Sequence, residues 1–303
     1  MVSILKEHSG LSKEDEYAHP TNDRADWRES YYFNWVDLDS GISGFSTIGL
    51  LPNAQKREFV FALFYDDERE VYFNEPDGSF SNDLSISLSD DILTFELIEP
   101  LKEWRILYNG KQLKADIRWS SRFSPYDFGT GSGTSWAGHF EQSGSPHGTI
   151  EFTDGKIVHF QGLGERDKSW GTRDWHIDTW YALHAQFEDV SIGLRHDTVK
   201  GDVYPSGSIS TPEGHVPIEC IDIVTQRHAE SNIPIGAKTR IQGIDGSVYN
   251  LESRLISPQS FVRFAREFPG GTTELIEGMA VHFCDELKAS GTGLVEWLFT
   301  HKS

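Results

Sequence analysis

Short apolar stretches separated by turn signals run through almost the whole chain, and helical periodicity is rare. The stretches at 31–37 and 42–50 flank residues 39–41, Asp-Ser-Gly, which are typical of a hairpin turn. Strong two-residue turn signals also stand at Asn109-Gly110 and Asp154-Gly155. These turn signals predict antiparallel strands, because tight turns of two residues join neighbouring antiparallel strands.

The pattern predicts strands in both halves of the chain and one short helix at 6–17. So many short strands with turns between them indicate an all-β sandwich or barrel. For 303 residues we expect two consecutive β domains, at 1–145 and 146–303, with the polar Gly- and Ser-rich segments 129–135 and 142–148 as boundary candidates. The predicted strands are 31–37, 42–50, 57–65, 70–73, 92–99, 104–108, 113–120, 148–152, 156–162, 180–187, 191–197, 202–209, 216–226, 238–242, 248–256, 261–267, 278–287 and 293–300.

The charge balance excludes some partners. The chain has 27 Lys and Arg against 47 Asp and Glu, a formal charge of -20, which argues against nucleic acid or an anionic membrane surface. Residues 1–26 contain no apolar core of a signal peptide, and we expect no membrane-spanning segment. Cys220 and Cys284 are too few for a disulfide framework, so a reducing cytoplasm is the expected location.

Aromatic residues make up 13% of the chain, a composition that suits β cores and also pockets for large apolar ligands. Most of these rings are expected in the core. Some could stabilise a cationic intermediate through their faces, with Trp136, Trp170, Trp175 and Tyr181 as candidates.

The segment 162–175 has the highest concentration of charged residues next to aromatic ones. It contains two Arg-Asp pairs, Arg166-Asp167 and Arg173-Asp174, among tryptophans and glycines. If the chain stays extended, Asp167 lies on one strand face and Arg166 on the other. An aspartate that faces an aromatic interior has a raised pKa and can donate a proton. The alternative is a structural corner, in which the arginines pair with the aspartates and the tryptophans plug a barrel end.

Histidines supply further candidates. His139 and Glu141 share a strand face, so the carboxylate could orient the imidazole or share its work as acid or base. His184 and His196 lie in predicted neighbouring strands, and we include His184 among the ligand-contacting residues. No spacing of His, Cys, Asp and Glu resembles a metal site, and phosphate- or dinucleotide-binding motifs are absent, so neither metal nor cofactor is expected.

Three segments carry a resemblance to an uncharacterised bacterial family of tandem lipocalins. They are 162–175, the preceding His-Phe-Glu-Gln at 139–142, and Gly-Thr-Gly-Leu-Val-Glu-Trp at 291–297. That family is related to carotenoid 1,2-hydratase (hydroxyneurosporene synthase) and to AttH-like proteins. The link to the hydratases rests mainly on the Asp-x-x-Trp-Gly portion, from Asp167 to Gly171.

The resemblance implies two consecutive lipocalin-like antiparallel β-barrels or sandwiches, a ligand pocket and no cofactor. It also implies that Asp167 protonates an isolated double bond. The doubled Arg-Asp departs from the hydratase pattern, and nearby guanidinium groups favour an ionised aspartate or an anionic ligand group.

Three functions follow as hypotheses. The first is a hydratase or lyase for a hydrophobic terpenoid- or steroid-like alkene, with Asp167 as acid, His139 or Glu141 positioning water, and Arg166, Arg173 and aromatic residues contacting the substrate. The second is an isomerase or cyclase in the same pocket. The third is a carrier of a hydrophobic ligand without chemistry.

Overall fold

The computed structural model of this protein describes residues 10–78, 81, 83–130, 136–172, 175 and 177–302. Strands make up 67% of it and helix 4%, which confirms the all-β prediction. The described residues form two compact units, one from 10 to 172 and one from 175 to 302. Within these residues, no helix has both the length and the apolar character that a membrane span requires.

The first unit is one antiparallel sheet that curls into a half-barrel. Its strand order is β4-β3-β2-β1-β11-β9-β7-β6-β5, and β8 and β10 also pair with β9. Short helical turns occur at Lys13–Glu16, Pro52–Ala54 and Leu84–Ser87. The strands are β1 (Trp27–Asp37), β2 (Ile42–Leu51), β3 (Lys56–Tyr65), β4 (Glu68–Asn74), β5 (Leu93–Glu99), β6 (Glu103–Asn109), β7 (Leu113–Ser121), β8 (Tyr126–Asp127), β9 (Gly138–Phe152), β10 (Ile157–Gln161) and β11 (Gly164–Thr172).

Strand β1 is buried on both faces, unlike a strand with one solvated face. Its inner residues Tyr31, Phe33 and Trp35 belong to the aromatic core of the half-barrel. Its outer residues include Ser30 and Asn34, which are polar and still buried. Polar residues inside a protein require hydrogen-bonding partners. This buried polar face is therefore a candidate for a functional site.

The second unit contains a closed eight-stranded barrel, because β17 pairs with both β16 and β19. Strand β18 pairs with β19 outside this ring. The hydrophobic core of the second unit includes Tyr181, Leu183, Leu194 and Trp297. The strands are β12 (Thr179–Gln186), β13 (Ser191–Val199), β14 (Asp202–Thr211), β15 (Gly214–Arg227), β16 (Pro234–Gly243), β17 (Val248–Leu255), β18 (Phe261–Phe268), β19 (Gly271–Cys284) and β20 (Ala289–Lys302).

The limit between the units differs from the expected 145/146. That position falls inside the 15-residue strand β9, and the first unit continues to residue 172. The reason is β11, which returns to lie between β1 and β9 and so completes the first sheet. The short helix expected at 6–17 is reduced to the turn Lys13–Glu16 in its described part.

Candidate active site

Strand β11 presents its alternate residues to two different environments. Arg166 and Lys168 lie on the inner face with the core of the half-barrel, and Asp167 lies on the outer face. The motif is extended from Gly164 to Thr172. Gly162 and Gly164 permit this, because a Cβ at either position would collide with a carbonyl oxygen of β1.

Arg166 is held entirely by inner-face groups. Its guanidinium donates to both carboxylate oxygens of Glu16, at 2.9 and 2.7 Å, and to Oε1 of Gln142, at 3.0 and 2.8 Å. The rings of Trp119 and Phe140 lie 5.4 and 4.9 Å from its Cζ. Both charged partners are fully buried, so this bidentate pair is a structural clamp between the N-terminal turn and β11.

A second buried ion pair joins Lys168 to Glu29. His19 donates its backbone N–H to Glu29 at 2.8 Å, and its ring stacks on Trp170 with 3.7 Å between centroids. Burial alone would raise the pKa of Glu29, but the charge of Lys168 and the hydrogen bonds from His19 and Lys168 outweigh it and hold that pKa below its ordinary value. Trp170 thus packs against the N-terminal segment.

The outer face assembles the acidic and imidazole side chains. Asp167 is the direct cross-strand partner of Glu141, and Ser169 is the partner of His139. Glu165 follows in the next row, opposite Ser143. Directly opposite residues on paired strands have Cβ atoms about 5 Å apart, so the three predicted catalytic residues share one small patch.

His139 lies in an aromatic cage formed by its own unit. Its ring stacks on Phe128 and meets the edge of Trp136, with 4.6 Å between centroids in each case. Its Nε2 lies 3.6 Å from Oε1 of Glu141, and both side chains are about 95% buried, with exposed fractions of 4% and 5%. A carboxylate beside the ring helps to fix the orientation of a histidine side chain.

Two carboxylates meet on this face. Glu141 and Glu165 each offer an oxygen within 4.8 Å of the other, and both side chains are buried. The backbone N–H of Glu165 donates to Oδ1 of Asn34 at 2.9 Å, which fixes that strand segment against β1. Burial, followed by the charges of Asp127 and Glu141, raises the pKa of Tyr126 to about 12, so its phenol is neutral.

The remaining predicted residues are distributed differently. Trp175, Tyr181 and His184 belong to the second unit. There Trp175 packs on Trp180, the Tyr181 hydroxyl lies 3.1 Å from Oγ1 of Thr239 inside the barrel, and His184 is buried on the outer face of β12. Arg173 lies outside the described residues.

Sequence reasoning missed Glu165, Tyr126 and Phe128. Glu165 could have been found, because it has the same strand parity as Asp167. The two aromatic residues come from the segment before β9, and their place beside His139 depends on the pairing of β8 with β9. The neighbouring carboxylates of Glu141 and Glu165 could also offer oxygen ligands to a divalent cation.

Comparison with known proteins gives one family and several structures. The sequence matches the family described as a domain of unknown function, DUF7064, over residues 12–300. No curated protein matches the chain. The fold is similar to that of an AttH-like protein from Nitrosomonas europaea, with 14% identity, 97% of this chain and 98% of that chain covered, and a TM-score of 0.69.

Two further solved structures share the fold. Kievitone hydratase from Nectria haematococca is 11% identical over 89% of this chain and 88% of its own, with a TM-score of 0.66. CghA, solved with Sch210972, is 9% identical over 92% of this chain and 89% of its own, with a TM-score of 0.63. These likenesses confirm two consecutive lipocalin-like barrels, and at such identities they establish fold alone.

Proposed function

We propose that this chain, which belongs to the DUF7064 family, is a hydratase or lyase that needs no cofactor and acts on a hydrophobic unsaturated substrate. The observation that carries the proposal is the cross-strand pair Asp167–Glu141, with the caged His139 in the adjacent row. The similar fold of kievitone hydratase supports the reaction class by analogy.

Asp167 is the proposed proton donor. It is half-buried, whereas Glu141 and His139 are buried, so it is the most accessible of the three. The adjacent Arg166 lies on the opposite face, and its guanidinium is bonded to Glu16 and Gln142, which supports this role for Asp167.

Aromatic rings would stabilise the cation that protonation creates. Addition of a proton to an alkene carbon leaves positive charge on the neighbouring carbon, and the negative faces of aromatic rings attract such charge. Trp136 and Phe128 both contact the ring of His139, and Tyr32 is the β1 partner of Asp167. The site therefore offers rings close to the acid.

The His139–Glu141 pair would deprotonate the attacking water. A water oxygen adds to the cation, and the imidazole, oriented by the carboxylate, accepts the proton that the water loses. One proton enters at carbon and one leaves from oxygen, so the sum is alkene plus water to alcohol. No electrons are exchanged with another molecule, and the reverse direction is dehydration.

The test is turnover of a panel of terpenoid and steroid alkenes in heavy-oxygen water. We expect wild-type protein to form an alcohol that carries the label, and Asp167→Asn to lose at least a hundredfold in kcat while keeping its thermal stability. Asp23→Asn, an exposed aspartate in the same unit, is the matched control. Undiminished turnover by Asp167→Asn would refute the assignment of the acid.

The label also separates the alternatives. An isomerase or cyclase in the same site would give an unlabelled product that still depends on Asp167. A carrier would bind the substrates and return them unchanged. Either result replaces the hydratase proposal.

A further inference from the structure

The outer face of β9 continues past the candidate active site into an open groove. Ser143, Ser145, His147 and Thr149 follow one another on the same face as Glu141. From Ser145 onward they line a groove of about 1190 Å³, together with residues of β10 and of the β1–β2 turn. The groove and the proposed catalytic patch thus lie on the same face of β9, with the buried Ser143 between them.

The segment that leads into β11 also runs from the groove to the proposed catalytic patch. Leu163 lines the groove and stands two residues before Glu165, and its backbone is bridged to Val36 of β1. Along β9, His147 lies six residues from Glu141, which corresponds to about 20 Å at roughly 3.3 Å per residue. A ligand that reaches both ends must therefore be elongated.

The side chains of the groove select the chemistry of that ligand. His147 is the cross-strand partner of Gln161, and Thr149 is the partner of His159. Both histidines are exposed and, with the amide and hydroxyl groups, they offer donors and acceptors at close spacing. Hydroxyl groups, which donate and accept at once, match such a lining.

Charged ligands fit the groove less well. In the described part of the chain no lysine or arginine lines it, and Asp39 adds negative charge, so an anion would be repelled. Asp37 is occupied, because its carboxylate accepts the backbone N–H groups of Asp39, Ser40 and Gln161 at 3.1, 3.4 and 3.0 Å. The Asp37 carboxylate therefore stabilises the turn and does not serve as a cation ligand.

We infer that this groove binds the hydroxyl-bearing end of an elongated amphiphile, whose unsaturated end reaches Asp167 and Glu141. The placement of the unsaturated end rests on the proposed function, whereas binding of the hydroxylated end does not. The substrate class is accordingly an unsaturated hydrophobic molecule that carries a sugar or another polyhydroxylated group.

Binding is tested without turnover. Octyl β-D-glucoside and octyl sulfate, both below their micelle concentrations, are titrated into the full chain by calorimetry. We expect the glucoside to bind at least tenfold more tightly than the sulfate, and a His147→Ala/His159→Ala double variant to lose at least tenfold in glucoside affinity. Both histidines are exposed, so the double variant should keep the wild-type unfolding temperature.

His301→Ala, at an exposed position of the second unit, is the control and should bind as wild type does. Equal affinity for sulfate and glucoside, no glucoside binding at all, or unchanged affinity in the double variant would overturn the inference. Asp167→Asn should still bind the glucoside. If turnover persists in Asp167→Asn while the double variant loses glucoside binding, the acid assignment fails and the groove assignment stands.

Discussion

Arg166 and Asp167 are adjacent in the chain and lie on opposite faces of the same sheet. The arginine is bonded to Glu16 and Gln142 in the core, and the aspartate stands opposite Glu141 on the outer face. A strand separates consecutive side chains in this way, so charge density in a sequence need not be charge density in space. The motif therefore combines a structural clamp and a candidate acid.

The clamp should be essential for stability. We expect Glu16→Gln to lower the free energy of unfolding by roughly 3–5 kcal/mol, because it leaves the buried Arg166 charge without its carboxylate. Glu14→Gln, an exposed position in the same helical turn, should change it by less than about 0.5 kcal/mol. Urea denaturation of both variants measures the difference, and equal stabilities would contradict a structural role for the pair.

Acid should destabilise the second unit through His282. Burial, with a smaller effect of His184, lowers the pKa of His282 to about 3, and its Nδ1 lies 2.8 Å from the hydroxyl of Ser253. The unfolded chain binds a proton near pH 6.5 and the folded chain does not, so stability falls as pH drops from about 6.5 towards 3.

The expected slope is about 1.4 kcal/mol per pH unit within that window. A His282→Gln variant should lack this part of the slope, although the ion pair of Glu29 will still contribute to acid sensitivity. Chemical denaturation of both proteins at several pH values between 4 and 8 gives the comparison. Parallel curves for the two proteins would show that His282 is not responsible.

Close packing of β11 on β1 predicts a steric effect. A Cβ at Gly164 would collide with the carbonyl oxygen of Asn34, so we expect Gly164→Ala to cost about 1–3 kcal/mol of stability. Gly10→Ala is the control, since nothing lies within 4 Å of a Cβ there. Thermal unfolding reports the difference, and a Gly164→Ala protein as stable as wild type would argue against the close approach.

Chelation tests the proposed independence from metals. Because the proton chemistry needs only Asp167, Glu141 and His139, prolonged dialysis against EDTA should leave kcat unchanged. A loss of kcat that added zinc or magnesium restores would instead indicate that the carboxylates of Glu141 and Glu165 hold a metal ion.

Local features of the fold could be predicted from the sequence. Turn pairs and apolar stretches predict most strands, and strand parity correctly separates Asp167 from Arg166 and places His139 beside Glu141. The spacing of 2 in an extended chain is a local property, so one sequence suffices to read it.

Pairing between distant strands could not be predicted in this way. Nothing local to 139–141 indicates that β11 lies beside β9, or that β11 returns to the sheet of β1. The partner of Arg166 was equally hidden, because Glu16 stands in a short polar segment far along the chain. The limit between the units was misplaced for the same reason, since β9 spans it.

The pairing of Glu16 with Arg166 also orders events during synthesis. The two residues are 150 positions apart, so at about 5–20 residues per second the ribosome needs roughly 8 to 30 seconds between them. Throughout that interval β1 lacks one neighbour and the N-terminal turn lacks its anchor. The first unit can therefore complete its sheet only after translation has passed β11, and until then the β11-facing edge of β1 is unpaired.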